Sequence, residues 1–326
     1  MGASTLLNML ADGEFRSGQD LADALGVSRT AVWKQVNKFA SELGLEIESV
    51  KGRGYRIPGG VDLLDEQAIR AGLTQRSAAL LRALDVAEIL DSTNAQALRD
   101  AERGDRRGHV YTAEQQTAGR GRRGREWVSP YAGNIYLSLS WQYEQGAAVL
   151  EGLSLAVGVA VTRALDACGV QGMRLKWPND ILYDGAKLGG ILIEMSGDAA
   201  GPCQVVVGVG LNVAMPRGAA AAIDQAWTDL AAVTPGQAPG RNRLVAALLD
   251  ELLPLLADFE EGGFGPWRDA WQALDAYAGQ SVVLDTGSRR LAGVARGVDE
   301  RGALLLETTS GVQPVYGGEI SMRPAQ

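Results

Sequence analysis

Two cysteines and a single histidine are spread through 326 residues. Cys168 and Cys203 lie far apart and make neither a CxxC pair nor a disulfide framework, as expected of a chain working in a reducing cytosol. With His109 alone, a Ser-His-Asp or Cys-His mechanism and a His-rich zinc site lack parts. Long apolar runs are also missing. Leu153 to Val161 is among the longest, and Thr162 and Arg163 end it well short of a bilayer's thickness. Residues 1–14 carry no basic group, so no signal peptide is expected. Basic residues are outnumbered 31 to 39, and the net charge of −8 excludes a protein coated in cations for nucleic acid. What remains, 46% hydrophobic and 21% charged residues, is the composition of a soluble globular protein of two or three domains.

Charge is unevenly placed. Residues 28–56 hold Arg29, Lys34, Lys38, Lys51, Arg53 and Arg56 against Glu42, Glu46 and Glu48, a local excess of +3. Asp20 to Leu25 reads as a short amphipathic helix, broken by Gly26-Val27. Ser28 can then N-cap a second helix running through Phe39 toward Leu43. Val32, Val36, Phe39 and Leu43 give that helix a buried stripe, and Arg29, Thr30, Lys34, Asn37 and Lys38 fall mostly off it. Glu46 to Val50, the basic turn Lys51 to Gly54, and Tyr55 to Ile57 predict a β-hairpin wing. The whole is a winged helix-turn-helix pattern, with Ser28, Arg29, Thr30, Lys34, Lys38 and Arg53 as candidate DNA contacts. The alternative is a small helical cap whose charges merely face water. Pro58-Gly59-Gly60 marks a linker, and residues 61–90 read as helical.

Five segments in the middle of the chain carry candidate chemistry. Gly119-Arg120-Gly121-Arg122-Arg123-Gly124-Arg125 puts four arginines among three glycines, a composition suited to a loop that wraps an anion, the alternatives being a solvated loop or a short RNA-binding Arg/Gly tract. It matches GxGxxG formally, but a strand at Asn134 to Trp141 follows where a dinucleotide site needs a helix. In Lys176-Trp177-Pro178-Asn179-Asp180, Pro178 stops a strand and presents Asn179 and Asp180, which suit either Mg²⁺ or nucleotide contacts or a plain Asx turn. Lys187 precedes Gly189-Gly190 and an apolar strand, where its ammonium can meet a carboxylate or phosphate, or simply face water. Gly208 to Asn212 is a buried strand with one polar residue that needs a partner. Asp91-Ser92-Thr93-Asn94 opens a helix with free hydroxyls at its N-terminus.

In order and approximate spacing, these five segments resemble those of the biotin–protein ligases, in particular the bifunctional bacterial form that also represses the biotin operon. The winged helix ahead and a β-rich tail behind extend the resemblance over essentially the whole chain. The arginine loop is its most specific piece. Lipoate ligases, nearest in fold, carry a different glycine-rich signature and usually no winged helix.

The resemblance implies an α+β fold in three parts: a winged helix-turn-helix over 1–62, a catalytic domain over 63–277 built on a class II synthetase-like mixed β-sheet with helices, and a small SH3-like β-barrel over 278–326. The short strands after Ser281, split by turns such as Asp285-Thr286-Gly287, agree with the last part, and Gly317-Gly318-Glu319 resembles the family's closing turn. It implies activation of biotin by ATP and Mg²⁺ to biotinyl-5′-AMP, then transfer to a lysine of a biotin carboxyl carrier domain of acetyl-CoA carboxylase. It also implies adenylate-dependent homodimers on operator DNA, in the cytoplasm and away from membranes, with biotin as corepressor precursor. Neither chemical step needs a histidine or cysteine, so positive charge and positioning would carry catalysis. By the same resemblance, Ser92, Thr93, Asn94, Gln116, Gly119, Arg120, Gly121, Arg122, Lys187, Gly190 and Gly208 bind biotin. Arg122, Arg125, Lys176, Asn179, Asn212 and Trp227 bind ATP, Asp180 holds the metal, and Lys187 and Arg122 are catalytic. The glycines Gly189, Gly190 and Gly208 would let the ligand lie close. The competing functions are a ligand-sensing DNA-binding regulator without ligase activity, and a ligase whose winged helix does not regulate.

Overall fold

The structure is a computed structural model that describes residues 2–146, 150–197, 201–221, 223–285, 290–317 and 320–324. Its N-terminal elements are helices α1 (Gly2–Leu10), α2 (Gly18–Leu25) and α3 (Arg29–Leu43), then strands β1 (Glu48–Val50) and β2 (Gly54–Arg56). Local chemistry sets their ends. The Ser17 and Ser28 hydroxyls accept from Asp20 N and Ala31 N and cap α2 and α3, while Gly26 adopts the left-handed conformation that stops α2. Val32, Val36, Phe39 and Leu43 are buried with Leu6, Leu7, Leu10 and Ile57. The antiparallel β1–β2 pair is the expected wing.

The segment expected to be helical over 61–90 is helical only in part. It forms α4 (Glu66–Ala71) and α5 (Gln75–Leu80), but Ala83–Leu90 is strand β3, paired in parallel with β4 (His109–Gln116). Its Leu- and Ala-containing composition favours helix locally, and pairing to a neighbouring strand overrides that preference. The remaining central elements are α6 (Thr93–Ala101), β5 (Asn134–Tyr143), α7 (Leu153–Ala167), β6 (Met173–Lys176), β7 (Asp180–Tyr183), β8 (Ala186–Gly197), β9 (Cys203–Asn212), α8 (Arg217–Ala220), α9 (Leu230–Val233), α10 (Arg241–Gly262) and α11 (Arg268–Leu274).

The seven-stranded mixed sheet runs β3-β4-β5-β9-β8-β7-β6. Strand alternation sorts its two faces. Ile135, Leu137 and Leu139 of β5 join the apolar core with Leu244, Leu248, Leu252 and Phe259 of α10 and the apolar run of α7. Ser138, on the opposite face, hydrogen-bonds Thr93 and Asn94 at the start of α6. Thus one face is core and the other holds polar groups. α10 continues through Pro254 as one helix. Among the described residues no helix is long and apolar enough to cross a membrane.

The C-terminal strands are β10 (Ser281–Asp285), β11 (Arg290–Val298), β12 (Leu304–Thr308), β13 (Gly311–Val315) and β14 (Ser321–Pro324), antiparallel in the order β13-β12-β11-β10-β14. This is an SH3-like strand set, but among the described residues no pairing of β13 with β14 closes it into the expected barrel. Thr286, Gly287, Gly318 and Glu319, from the turns noted above, lie outside the described residues. The core is continuous from the central sheet into Val282, Leu284, Ala295, Leu304 and Leu306. The Trp177 indole N–H also donates to Gly302 O at 3.2 Å, tying the Lys176–Asp180 turn to this sheet.

A buried ion pair links the linker to the central sheet. Arg241 and Glu114 meet at 2.6 Å with side chains 2% and 6% exposed. Arg241 also donates to Asp62 O at 2.7 Å, and Glu114 accepts from Leu64 N at 2.5 Å. Arg241 Nε donates to Asn134 O at 3.0 Å as well, while its second terminal nitrogen is buried without a hydrogen-bond partner, and a buried pair left partly unsatisfied contributes little net stability. Nearby, Tyr131 of the central chain packs into the N-terminal apolar cluster.

Candidate active site

The helix N-terminus at Ser92 and the end of β4 build one wall. Ser92 caps α6 by accepting from Ala95 N at 3.4 Å. Gln116 Oε1 accepts from Thr93 N at 2.9 Å, and its amide donates to Ser129 Oγ at 3.1 Å. Asn94 donates to Glu194 at 2.9 Å and to Leu192 O at 3.2 Å, and its Oδ1 accepts from Ser138 at 2.6 Å. These side chains are held in place by one another, so they present fixed donors and acceptors.

The arginine loop forms the opposite wall. It doubles back on itself: Gly121 N donates to Arg125 O at 2.8 Å and Trp127 N to Gly119 O at 2.9 Å. Arg123 and Gly124 both take positive φ (60° and 68°) at the tip, a conformation that glycine accepts freely. Two contacts pin the loop over the sheet. Arg120 pairs with Glu194 at 2.9 Å, and Arg122 donates to Asn179 Oδ1 at 3.0 Å. A narrow cavity of about 60 Å³ lies between the walls, lined by Ser92, Thr93, Asn94, Gln116, Arg120, Gly121, Arg122, Trp127, Asn179, Lys187, Gly190 and Gly208, among others. Its lining combines neutral hydrogen-bonding side chains with three cations, Arg120, Arg122 and Lys187.

Gly119 does not line this cavity. A Cβ there would strike the Trp127 carbonyl and the Ser129 hydroxyl, so this glycine serves the fold of the loop. The strand glycines likewise have protein neighbours. A Cβ at Gly208 would collide with Asn94 Oδ1, one at Gly210 would lie 2.7 Å from Trp127 Cε2, and one at Gly189 would meet Gly210 O at 2.8 Å. Gly190, Gly208 and Gly210 line the cavity as well, and Gly189 does not. Close packing within the protein thus requires a glycine at 189 and 208, while Gly190 and Gly208 stand on the cavity wall, where the resemblance expects the ligand to lie close.

Lys187 and Asp180 form the centre of charge. Lys187 Nζ is 2.6 Å from Asp180 Oδ1, and Lys176 Nζ is 3.3 Å from Oδ2. Burial pushes the Asp180 carboxyl up, but the two ammonium groups outweigh it and hold it below its ordinary value. Asp180 therefore spends both oxygens on lysines. Among the described residues no cluster of three His, Cys, Asp or Glu groups accompanies it. To hold the Mg²⁺ that the resemblance implies, Asp180 would have to release one of these lysines, since both of its oxygens are engaged. Asn179 is similarly occupied: beyond Arg122, its amide donates to Ile191 O at 2.8 Å.

A second cavity of about 270 Å³ adjoins the first across Lys187 and Trp127, with Arg125, Asn212 and Trp227 on its walls. Trp227 is bridged to Lys187 through the backbone, and Asn212 donates to Thr228 O at 3.0 Å. Lys176 lines the wider groove outside the turn, with Arg122 and Arg125. Trp127 was missed by sequence reasoning, although an aromatic directly after the arginine loop was a usable signal. It lines both cavities, its ring stands 5.5 Å from Lys187 Nζ, and its buried indole N–H has no hydrogen-bond partner.

The candidate DNA contacts lie together elsewhere. Ser28, Arg29, Thr30, Lys34 and Lys38 are exposed along α3, and Arg53 on the wing. Lys38 pairs with Glu42 at 3.7 Å. The exposed Arg53 guanidinium stacks on the Phe15 ring at 4.0 Å instead of extending freely from the tip.

Fold and site define a ligase core with a winged helix ahead of it and a small β-unit behind, and the chain belongs to the biotin protein ligase family. The signature of the biotin/lipoate A/B protein ligase family matches residues 86–212, an HTH domain matches 3–56, and the biotin protein ligase C terminal domain matches 277–323. The chain is 40% identical to the bifunctional ligase/repressor BirA of Escherichia coli K12, over 98% of this chain and 97% of that one. It is 37% identical to the biotin--[acetyl-CoA-carboxylase] ligase of Mycobacterium tuberculosis, over 79% and 95% of the two chains. Its structure is similar to that of the Aquifex aeolicus biotin protein ligase in complex with biotin and ATP, with a TM-score of 0.64 and 29% identity over 75% of this chain and 100% of that one.

Proposed function

We propose that this chain joins biotin to AMP at the expense of ATP, transfers the biotin to one lysine of a carboxyl carrier domain, and represses transcription through its winged helix. One observation carries the chemical part: a single narrow cavity gathers neutral hydrogen-bonding groups at Thr93, Asn94 and Gln116 together with cations at Arg120, Arg122 and Lys187. Biotin carries the complementary groups, a ureido ring and a carboxylate. Ser92, Thr93, Asn94 and Gln116 hold the ring. Trp127 and Gly190 flank the aliphatic chain, and Lys187 meets the carboxylate. The second cavity, with Trp227, Asn212 and Arg125, takes ATP, and Trp227 stacks on adenine.

A carboxylate oxygen attacks the α-phosphorus, and pyrophosphate leaves. The carrier lysine's neutral amine then attacks the acyl carbon of the mixed anhydride, AMP leaves and the amide nitrogen loses its proton. Lys187, fixed by Asp180, stabilises negative charge at the carboxylate–phosphate junction in both steps. Arg120 and Arg122 hold the loop over the anhydride and exclude water.

The N-terminal cations favour operator DNA, and the dimer that presents two such helices forms on the adenylate-loaded protein. We assign the three functional parts to 1–62, 63–277 and 278–326 and place the activity in the cytoplasm, where ATP, carrier and DNA coexist. The test is direct. The protein, ATP, Mg²⁺ and a carrier domain are mixed with a panel of carboxylic acids, and the carrier is weighed by mass spectrometry. Biotin should give the one large mass shift. Transfer of another acid in preference to biotin overturns the reading.

A further inference from the structure

Trp33 lies on the exposed side of α3, with 55% of its surface open. It is the one tryptophan among the described residues that is exposed. An indole left in water forgoes the burial that most large apolar side chains obtain, so its position calls for an occupant. Three observations say which. Trp33 sits one helical turn beyond Arg29, and both face the groove between α3 and the wing, where Lys51 and Arg53 also lie. The lining of that groove contains three cations and no carboxylate, in a chain of net charge −8. Asn37, one turn further along, ties its amide back to Trp33 O at 2.8 Å, so the neighbouring polar side chain is engaged with the helix itself.

We propose that Trp33 is a sequence-reading residue of this chain, its indole packing against thymine 5-methyl groups in the DNA major groove when α3 docks there. The proposal rests on the DNA-binding reading above and deepens it. Phosphate contacts from Arg29, Lys34 and Lys51 position the helix but carry no base information. Base readout requires groups that meet base edges. Thymine is the base that presents an apolar methyl in the major groove, and a rigid apolar surface beside the helix N-terminus is complementary to it.

Selection from a random duplex library with the full chain, biotin and ATP supplies the probe. The enriched duplex is then made with thymine or with uracil, which removes only the methyl groups. Wild-type affinity should fall about fourfold for each contacted methyl. Trp33→Ala should bind the thymine duplex more weakly by that factor and be indifferent to the exchange, while Trp33→Phe keeps part of the preference. Biotin transfer to the carrier should be unchanged in both variants and reports that they fold. Equal wild-type affinity for the two duplexes, or an undiminished thymine preference in Trp33→Ala, overturns the inference and leaves DNA binding standing. If no duplex is enriched, or Trp33→Ala weakens carrier transfer or self-association instead, this face serves a protein, and both the inference and the DNA reading fall.

Discussion

In the central cavity Arg120, Arg122 and Lys187 already touch Glu194, Asn179 and Asp180. On α3 and the wing Arg29, Lys34 and Lys51 stand exposed. Both regions gather cations, but only the first ties each of them to a side chain of the sheet, and only there is one, Lys187, also enclosed, with 16% of its side chain exposed. An enclosed cation is pre-oriented and little screened, so it acts on charge that develops during a reaction. An exposed cation gains mainly by displacing counterions from a polyanion, so its effect depends on salt. The positions of the cations, more than their number, separate a catalytic site from a docking surface.

The comparison is broken most easily at Lys187. Lys187→Ala should slow pyrophosphate release by about 100- to 1000-fold, the loss typical of removing one fixed stabiliser of developing charge. That loss should change little between about 50 and 200 mM salt, the range over which DNA binding weakens steeply. Release at the wild-type rate would remove Lys187 from the mechanism.

Arg122→Gly probes how tightly the loop is pinned. The variant should fold and still form adenylate, but lose its hold on it by roughly 10- to 100-fold, as expected for one charge-assisted hydrogen bond. Labelling of bystander lysines should rise accordingly. Adenylate retained as in the wild type would mean that Arg122 is no clamp.

The smallest effect belongs to the other region. Lys34→Ala should weaken DNA binding a few-fold and reduce the slope of log affinity against log salt by about 1, without altering biotin transfer. An unchanged slope would show that Lys34 faces away from phosphate.

Much of the winged helix was legible because its signals are local. The Ser28 cap, the Gly26 stop and the Val32–Val36–Phe39–Leu43 stripe act within a few residues, and all appear as expected. β3 was not legible, since its strand form depends on pairing with β4. In the site, residue types were readable and their partners were not. The two lysines on the oxygens of Asp180 reach it from separate points of the folded turn and sheet. Gly208 lines the cavity as expected, but the Asn94 side chain packed against it comes from a helix more than a hundred residues earlier. Trp127 was overlooked because its importance comes from lying over Gly190 and Gly210, on strands distant in the chain.

By itself the order of amino acids determined the caps, the buried stripes and an arginine–glycine loop too polar for a core, because each follows from steric and solvation preferences over a turn or two of chain. Tertiary structure alone decided that Arg122 meets Asn179, 57 residues away, and that Arg241 closes on Glu114, 127 residues away. Charges so far apart in sequence acquire a definite distance and a low-dielectric setting only when the sheet and helices pack, and those two quantities fix what a cation can do.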